Sequence, residues 1–178
     1  MKLKKWQIIV TVVCLILGAV LHFTYEISLN NIFVGIFSAT NESVWEHLKL
    51  IFYPMLLMAI IGYFIIGNKY KNYWFAQIKG IIISMIFVVI FFYTYTGIIG
   101  RNIGIVDIAT FILSIIGGEY VTYKTIRDKR NFNAEVVSVI LAILIFIMFI
   151  VFTIYPPKIP LFEDPIYGTF GIEPKKID

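Results

Sequence analysis

The sequence predicts an all-α polytopic membrane protein, a bundle of five transmembrane helices, and three observations carry that prediction. Hydrophobic residues fill 60% of the 178 positions and charged residues only 15%, with a mean hydropathy of +0.88. A helix that crosses the hydrocarbon core needs about 20 mostly apolar residues, and five such runs follow one another, at 6–25, 44–66, 74–96, 103–123 and 136–155. The runs are continuous rather than alternating apolar and polar with period two, which excludes a transmembrane β-barrel.

The first run follows Met1-Lys2-Leu3-Lys4-Lys5 and has the shape of a secretory signal. No pair of small residues marks a cleavage site, and Cys14 is preceded by Val13 rather than by the small residue of a lipoprotein signal, so it reads as an uncleaved signal anchor. Cys14 is the single cysteine and falls mid-run, the place of a small apolar core residue.

The second run opens with the most chemically dense stretch of the chain, Asn41-Glu42-Ser43-Val44-Trp45-Glu46-His47-Leu48-Lys49. Thr40 or Asn41 has the chemistry of an N-cap, and acids near a helix start are favoured by the helix dipole. Pro54 cannot donate to the carbonyl of Leu50, so a kink is expected there.

The third run begins at Trp74. The fourth carries Asp107, Thr110, Ser114 and Gly117 at spacings of three and four, a small or polar stripe directed into the bundle. Asp107 has Arg101 at hand as an ion-pair partner. Glu119, between Gly118 and Tyr120, lies about 24 Å down the same helix, where Lys124 or a loop lysine could pair with it, or where it would form a second polar site.

After the fifth run the tail has five prolines, yet Ile159, Leu161, Phe162, Ile166, Tyr167, Phe170 and Ile172 make it too apolar for a disordered end. It is expected to lie as an ordered cap, with Asp164 among its polar residues, and the end beyond Glu173 to be flexible. The chain thus divides into a bundle at 1–155 and a Pro/Gly/aromatic tail at 156–178.

Basic residues set the orientation, because Lys and Arg in short loops stay on the cytoplasmic side. Lys2, Lys4 and Lys5 precede the first helix, Lys69, Lys71 and Lys79 flank the second loop, and Lys124, Arg127, Lys129 and Arg130 crowd the fourth. The first loop has no basic residue and the third has only Arg101. The amino terminus is therefore expected inside and the carboxy terminus outside, with Trp6, Trp74, Tyr25, Trp45, Tyr93, Tyr95 and Tyr155 as interfacial aromatics. The net charge of +4 is accounted for by this topology rather than by a nucleic-acid partner.

On the outer side in this topology the polar residues converge. His22 and Glu26 are four apart at the end of the first helix, Glu42 and Glu46 four apart at the start of the second, and both histidines fall at one depth. Ionisable groups at membrane depth usually face the bundle and carry function. Two imidazoles with carboxylates suit a divalent metal such as zinc, manganese or iron. On this reading His22, Glu46 and His47 are ligands and Glu26 or Glu42 is a partner or general base. The matching activity is metal-dependent hydrolysis of a lipid or envelope precursor; the alternative is a transporter, channel or accessory subunit that uses the cluster for a cation or protons. No glycine-rich phosphate loop is present, which argues against ATP coupling.

The combination of His22-Phe23-x-Tyr25-Glu26, the run at 41–50, Gly117-Gly118-Glu119 and the tail at 156–172 resembles a family of small uncharacterised membrane proteins of Firmicutes and related bacteria, a domain of unknown function. The resemblance implies a home in the bacterial cytoplasmic membrane and carries no substrate or catalytic role.

The orientation is testable with single cysteines in a Cys14→Ala background. A cysteine in the tail should react with an impermeant thiol reagent in intact cells, and one in the 123–132 loop only after lysis. The opposite pattern would put the His/Glu cluster on the cytoplasmic side.

Overall fold

A computed structural model describes residues 2–128 and 134–172; Lys129, Arg130 and the end beyond Glu173 lie outside the described residues. Among the described residues the chain is all-helical, with five helices long and apolar enough to cross a membrane. They are α1 (Leu3–Ile27), α3 (Val44–Ile65), α4 (Tyr73–Ile99), α5 (Gly104–Arg127) and α6 (Glu135–Ile154), and each contains or closely overlaps one apolar run. A further helix, α2 (Ile32–Gly35), interrupts the first loop, with Asn31 as N-cap accepting from Phe33 N at 2.9 Å.

The centre of the bundle is α3, packed against α1 and α4, while α5 packs against α1 and α4, and α6 against α4. Over half of the apolar window of α3 (56%) is buried inside the protein, against a third or less for the other spans. The outward faces, such as Ile8, Val12, Ile16, Val20 and Phe23 on α1, remain apolar and exposed, as they must where lipid replaces water. We call the end of the bundle where α1 finishes and α3 begins the cap end, and the other the basic end.

Two close helix approaches set the geometry. Pro54 lies inside α3 and leaves the Leu50 carbonyl without its usual donor. Gly18 of α1 packs there: a Cβ at Gly18 would stand 2.6 Å from that carbonyl oxygen, so only glycine admits the contact. On the other side of the bundle, Cβ atoms at Gly80 of α4 and Gly118 of α5 would each meet the other's carbonyl oxygen at 2.7 Å. Below the Asp107 position the polar stripe of α5 runs along this same contact, where Ser84 Oγ donates to the Ser114 carbonyl at 2.8 Å. Asp107 itself accepts from the hydroxyl of Tyr95 on α4 rather than pairing with Arg101.

Trp6 and Trp45 are not lipid-facing anchors. Trp6 is buried beside Gly62 and Tyr73. Trp45 is buried between Phe149 and Phe152 of α6 and Phe162 of the tail, with ring centroids 4.8–5.5 Å apart. Amphipathic anchoring and core packing demand the same ring from a sequence; for Trp45 the tail, which folds over the start of α3, decides between them.

After α6 the chain turns back across the cap end. A 3-10 turn at Pro160–Phe162 inserts Phe162, and an isolated bridge pairs Glu163 with Phe170. Asp164 ties the turn together, its Oδ1 accepting from Ile166 N at 2.8 Å and Tyr167 N at 3.1 Å. Two bonds then fasten the tail to the segment before α3: Glu42 N donates to Asp164 Oδ2 at 3.1 Å, and Asn41 Nδ2 to the Gly171 carbonyl at 2.9 Å.

The docked tail should resist limited proteolysis in mild detergent up to residue 172. Phe162→Ala removes a buried aromatic, a change that typically costs about 3–5 kcal/mol, and should make the tail cleavable well before the bundle unfolds. Wild-type protein that loses its tail as fast as the variant would show that Phe162 does not hold it.

Candidate functional site

The Gly18–Leu50 approach positions the site. His22 is one turn beyond Gly18 towards the cap end, and His47 is three residues before Leu50 on the same face of α3. The two imidazoles therefore meet, Nε2 to Nε2 at 3.2 Å. Glu42, two residues before the helix, brings Oε2 to 3.5 Å from His47 Nε2 and 3.9 Å from His22 Nε2. Ligand atoms from His22, Glu42 and His47 all lie within 4.8 Å of one another, the one such group among the described residues. Their side chains are 32%, 41% and 31% exposed, so the cluster opens at the cap end.

Two features orient the groups. His47 Nδ1 lies 2.9 Å from the Ser43 carbonyl oxygen, the acceptor one turn back. A proton on Nδ1 there leaves the Nε2 lone pair facing His22 and Glu42, which is the second hydrogen bond that metal-ligating histidines characteristically make. Glu42 is oriented from outside the bundle, through its backbone bond to Asp164. His22 Nδ1 is buried with no hydrogen-bond partner among the described residues.

Glu46 does not join the histidines. It neighbours His47 in the sequence, and successive helical residues point about 100° apart. Its carboxylate turns inward to Lys49 Nζ at 2.6 Å, with both side chains almost wholly buried (2% and 0% exposed). Glu46 Oε2 also accepts from Thr40 N at 2.9 Å and Thr40 Oγ1 at 2.8 Å, and Oε1 from Thr153 Oγ1 of α6 at 3.3 Å. Lys49 Nζ donates further to the carbonyls of Gly35 at 2.8 Å and Ser38 at 3.3 Å. Ser43, not Thr40 or Asn41, is the N-cap of α3, its Oγ accepting from Glu46 N at 3.3 Å, while Asn41 Oδ1 accepts from Ser43 N at 2.8 Å.

Glu26 is exposed at the end of α1, one turn past His22 and close enough for its charge to act on that imidazole. The remaining candidates lie apart. Asp107 belongs to the α4–α5 contact, Asp164 to the tail, and Glu119 to the basic-end half of the bundle, beside Gln7. Lys49 is the residue that the sequence hides. It reads as one more charge in a basic-acidic run, and its only advance signal is the spacing of three from Glu46 inside an otherwise apolar helix.

The buried pair has a measurable signature. Glu46→Gln leaves a buried ammonium without its counter-charge, a loss of about 3–5 kcal/mol, seen as a large drop in thermal midpoint in detergent. Replacing both partners, Glu46→Leu with Lys49→Met, should recover part of it. A Glu46→Gln protein as stable as wild type would show that the pair does not hold the cap end together.

No curated protein and no solved structure matches the chain. A family model described as a family of unknown function (DUF6512) matches residues 1–172, and the chain accordingly belongs to that family.

Proposed function

We propose that His22, Glu42 and His47 bind one divalent metal ion, and that the protein is a metal-dependent hydrolase of the bacterial cytoplasmic membrane, acting on a lipid or envelope precursor at the extracytoplasmic face. The separation of the two Nε2 atoms, 3.2 Å, carries this reading. Two imidazoles on one tetrahedral zinc, at Zn–N distances of 2.0–2.1 Å, stand about 3.3 Å apart. The Glu42 oxygen needs to close by only a few tenths of an ångström to complete a face of the same tetrahedron.

The three side chains would hold the ion and leave a position open to water, and the chemistry the ion would supply there is the acidity that makes water a nucleophile for hydrolysis. Zinc, manganese and iron all accept this donor set. Glu26, one turn past His22, is the carboxylate left as general base. Asp164 keeps Glu42 in place, and the half-open mouth admits a headgroup from the bilayer surface.

A second reading has support in a particular residue. Glu119, a buried acid in the opposite half of the bundle, suits a transporter or accessory subunit in which the metal site binds a transported cation.

Metal analysis of the purified protein tests the site. We expect about one equivalent of zinc, manganese or iron, lost in His22→Ala and His47→Ala, and held at least about tenfold more weakly in Glu42→Gln and Asp164→Ala. A metal ion and protons compete for the same imidazole nitrogens, so the ion should be held less tightly as the pH is lowered. Undiminished metal in the double histidine variant overturns the assignment. With metal bound, hydrolysis of a lipid-linked ester or phosphate in micelles favours the enzyme, and metal uptake into proteoliposomes without hydrolysis favours the transporter.

A further inference from the structure

In the basic-end half of the bundle α1 and α5 meet through two polar side chains that the metal site does not use. Gln7 Nε2 donates to Glu119 Oε2 at 2.6 Å and lies 3.4 Å from the Glu119 carbonyl oxygen. Both residues are buried, Glu119 at 3% exposure and Gln7 at 7%. The pair stands fifteen residues along α1 from His22, about 22 Å at the usual helical rise. The Gly80–Gly118 approach sets α5 against α4 beside Glu119, so the backbone that bears the acid is fixed by close packing.

One oxygen of each group is an orphan. Glu119 Oε1 and Gln7 Oε1 are both buried and both lack a hydrogen-bond partner among the described residues. Leaving buried polar atoms unpaired is costly. These two atoms are acceptors, on two groups already joined by an N–H···O bond, so a single hydrogen satisfies both. A primary amide and a carboxylic acid form that cyclic pair, N–H to carboxyl oxygen and O–H to amide oxygen. A carboxylate has no hydrogen to give.

No lysine, arginine or histidine among the described residues lies within ion-pair distance of Glu119. Cys14 on α1 and Tyr73 on α4 are close enough to feel its charge, and the Tyr73 hydroxyl is spent on the Ala59 carbonyl at 2.7 Å. Neither supplies a counter-charge. We propose that Glu119 binds one proton and shares it with Gln7, closing a two-hydrogen-bond amide–acid pair that makes the α1–α5 contact a proton-binding site inside the membrane span.

Infrared spectra of the protein in lipid bilayers at neutral pH test this. The wild type should show a carboxylic-acid C=O stretch that is lost in Glu119→Gln. In Gln7→Leu the band should persist but move to the higher frequency of an acid with no hydrogen bond. Glu119→Gln can form the same cyclic pair as an amide–amide dimer, so it should fold like wild type. Failure to find any acid band that Glu119→Gln removes, or a band that Gln7→Leu leaves unmoved, overturns the proposal. A second measurement needs no variant: dicyclohexylcarbodiimide adds to protonated buried carboxyls, so wild-type membranes should give a mass increase on the Glu119 peptide that disappears at alkaline pH. An unlabelled Glu119 at neutral pH overturns the proposal as well.

Discussion

The cap end of this protein depends on one buried ion pair. Lys49 and Glu46 are buried inside the protein, where an isolated charge would be prohibitively costly and even a paired one needs its remaining hydrogen-bonding capacity filled. That requirement organises the surroundings. The ammonium is completed by the carbonyls of Gly35 and Ser38, which ends α2 and folds the first loop onto α3. The carboxylate is completed by Thr40 and by Thr153, which joins the same loop to α6. Since Glu42 follows Thr40 by two residues, the pair also determines where the third member of the His/Glu cluster lies. The cluster is thus built on a neighbouring network that never touches it.

Missing atoms do comparable work between α1 and α3. Proline removes an amide hydrogen at position 54 and glycine removes a side chain at position 18, and the two absences face each other. The helices come close at that level, and the Nε2 atoms of His22 and His47, one turn nearer the cap end, are left 3.2 Å apart. A larger residue at Gly18 would spread the helices and part the imidazoles, although neither histidine changed.

The polar groups therefore sort into three kinds by how their demands are met. Glu46 and Lys49 satisfy each other and are structural. His22, Glu42 and His47 converge while remaining part-exposed, the condition for taking up a ligand from outside. Glu119 and Gln7 are sealed in and each retains an unfilled acceptor, the condition for holding something as small as a proton. Depth and accessibility, not residue type, separate these roles, because glutamate appears in all three.

Composition and apolar run length by themselves determined the helical class, the number of spans and their limits to within a few residues, because backbone hydrogen bonding in lipid leaves helices as the economical answer to a run of about 20 apolar residues. They also brought both histidines to one depth, since equal distances from helix ends translate directly into height. What lateral neighbour each residue meets was decided only by the tertiary structure. Four-residue spacing placed Glu42 with Glu46, yet Glu42 precedes the N-cap Ser43 and lies outside the helical register, so it reaches His47 while Glu46 turns to Lys49. Trp45 could equally have faced lipid until the tail packed Phe162 against it. The short helix α2, the capping of the α4 amino terminus by Glu135 through Trp74 N and Phe75 N, and the partnership of Glu119 with Gln7 rather than a lysine all join residues far apart in the chain. Such pairings follow from how helices rotate and cross, and helix periodicity fixes which residues share a face without fixing which neighbour that face will meet.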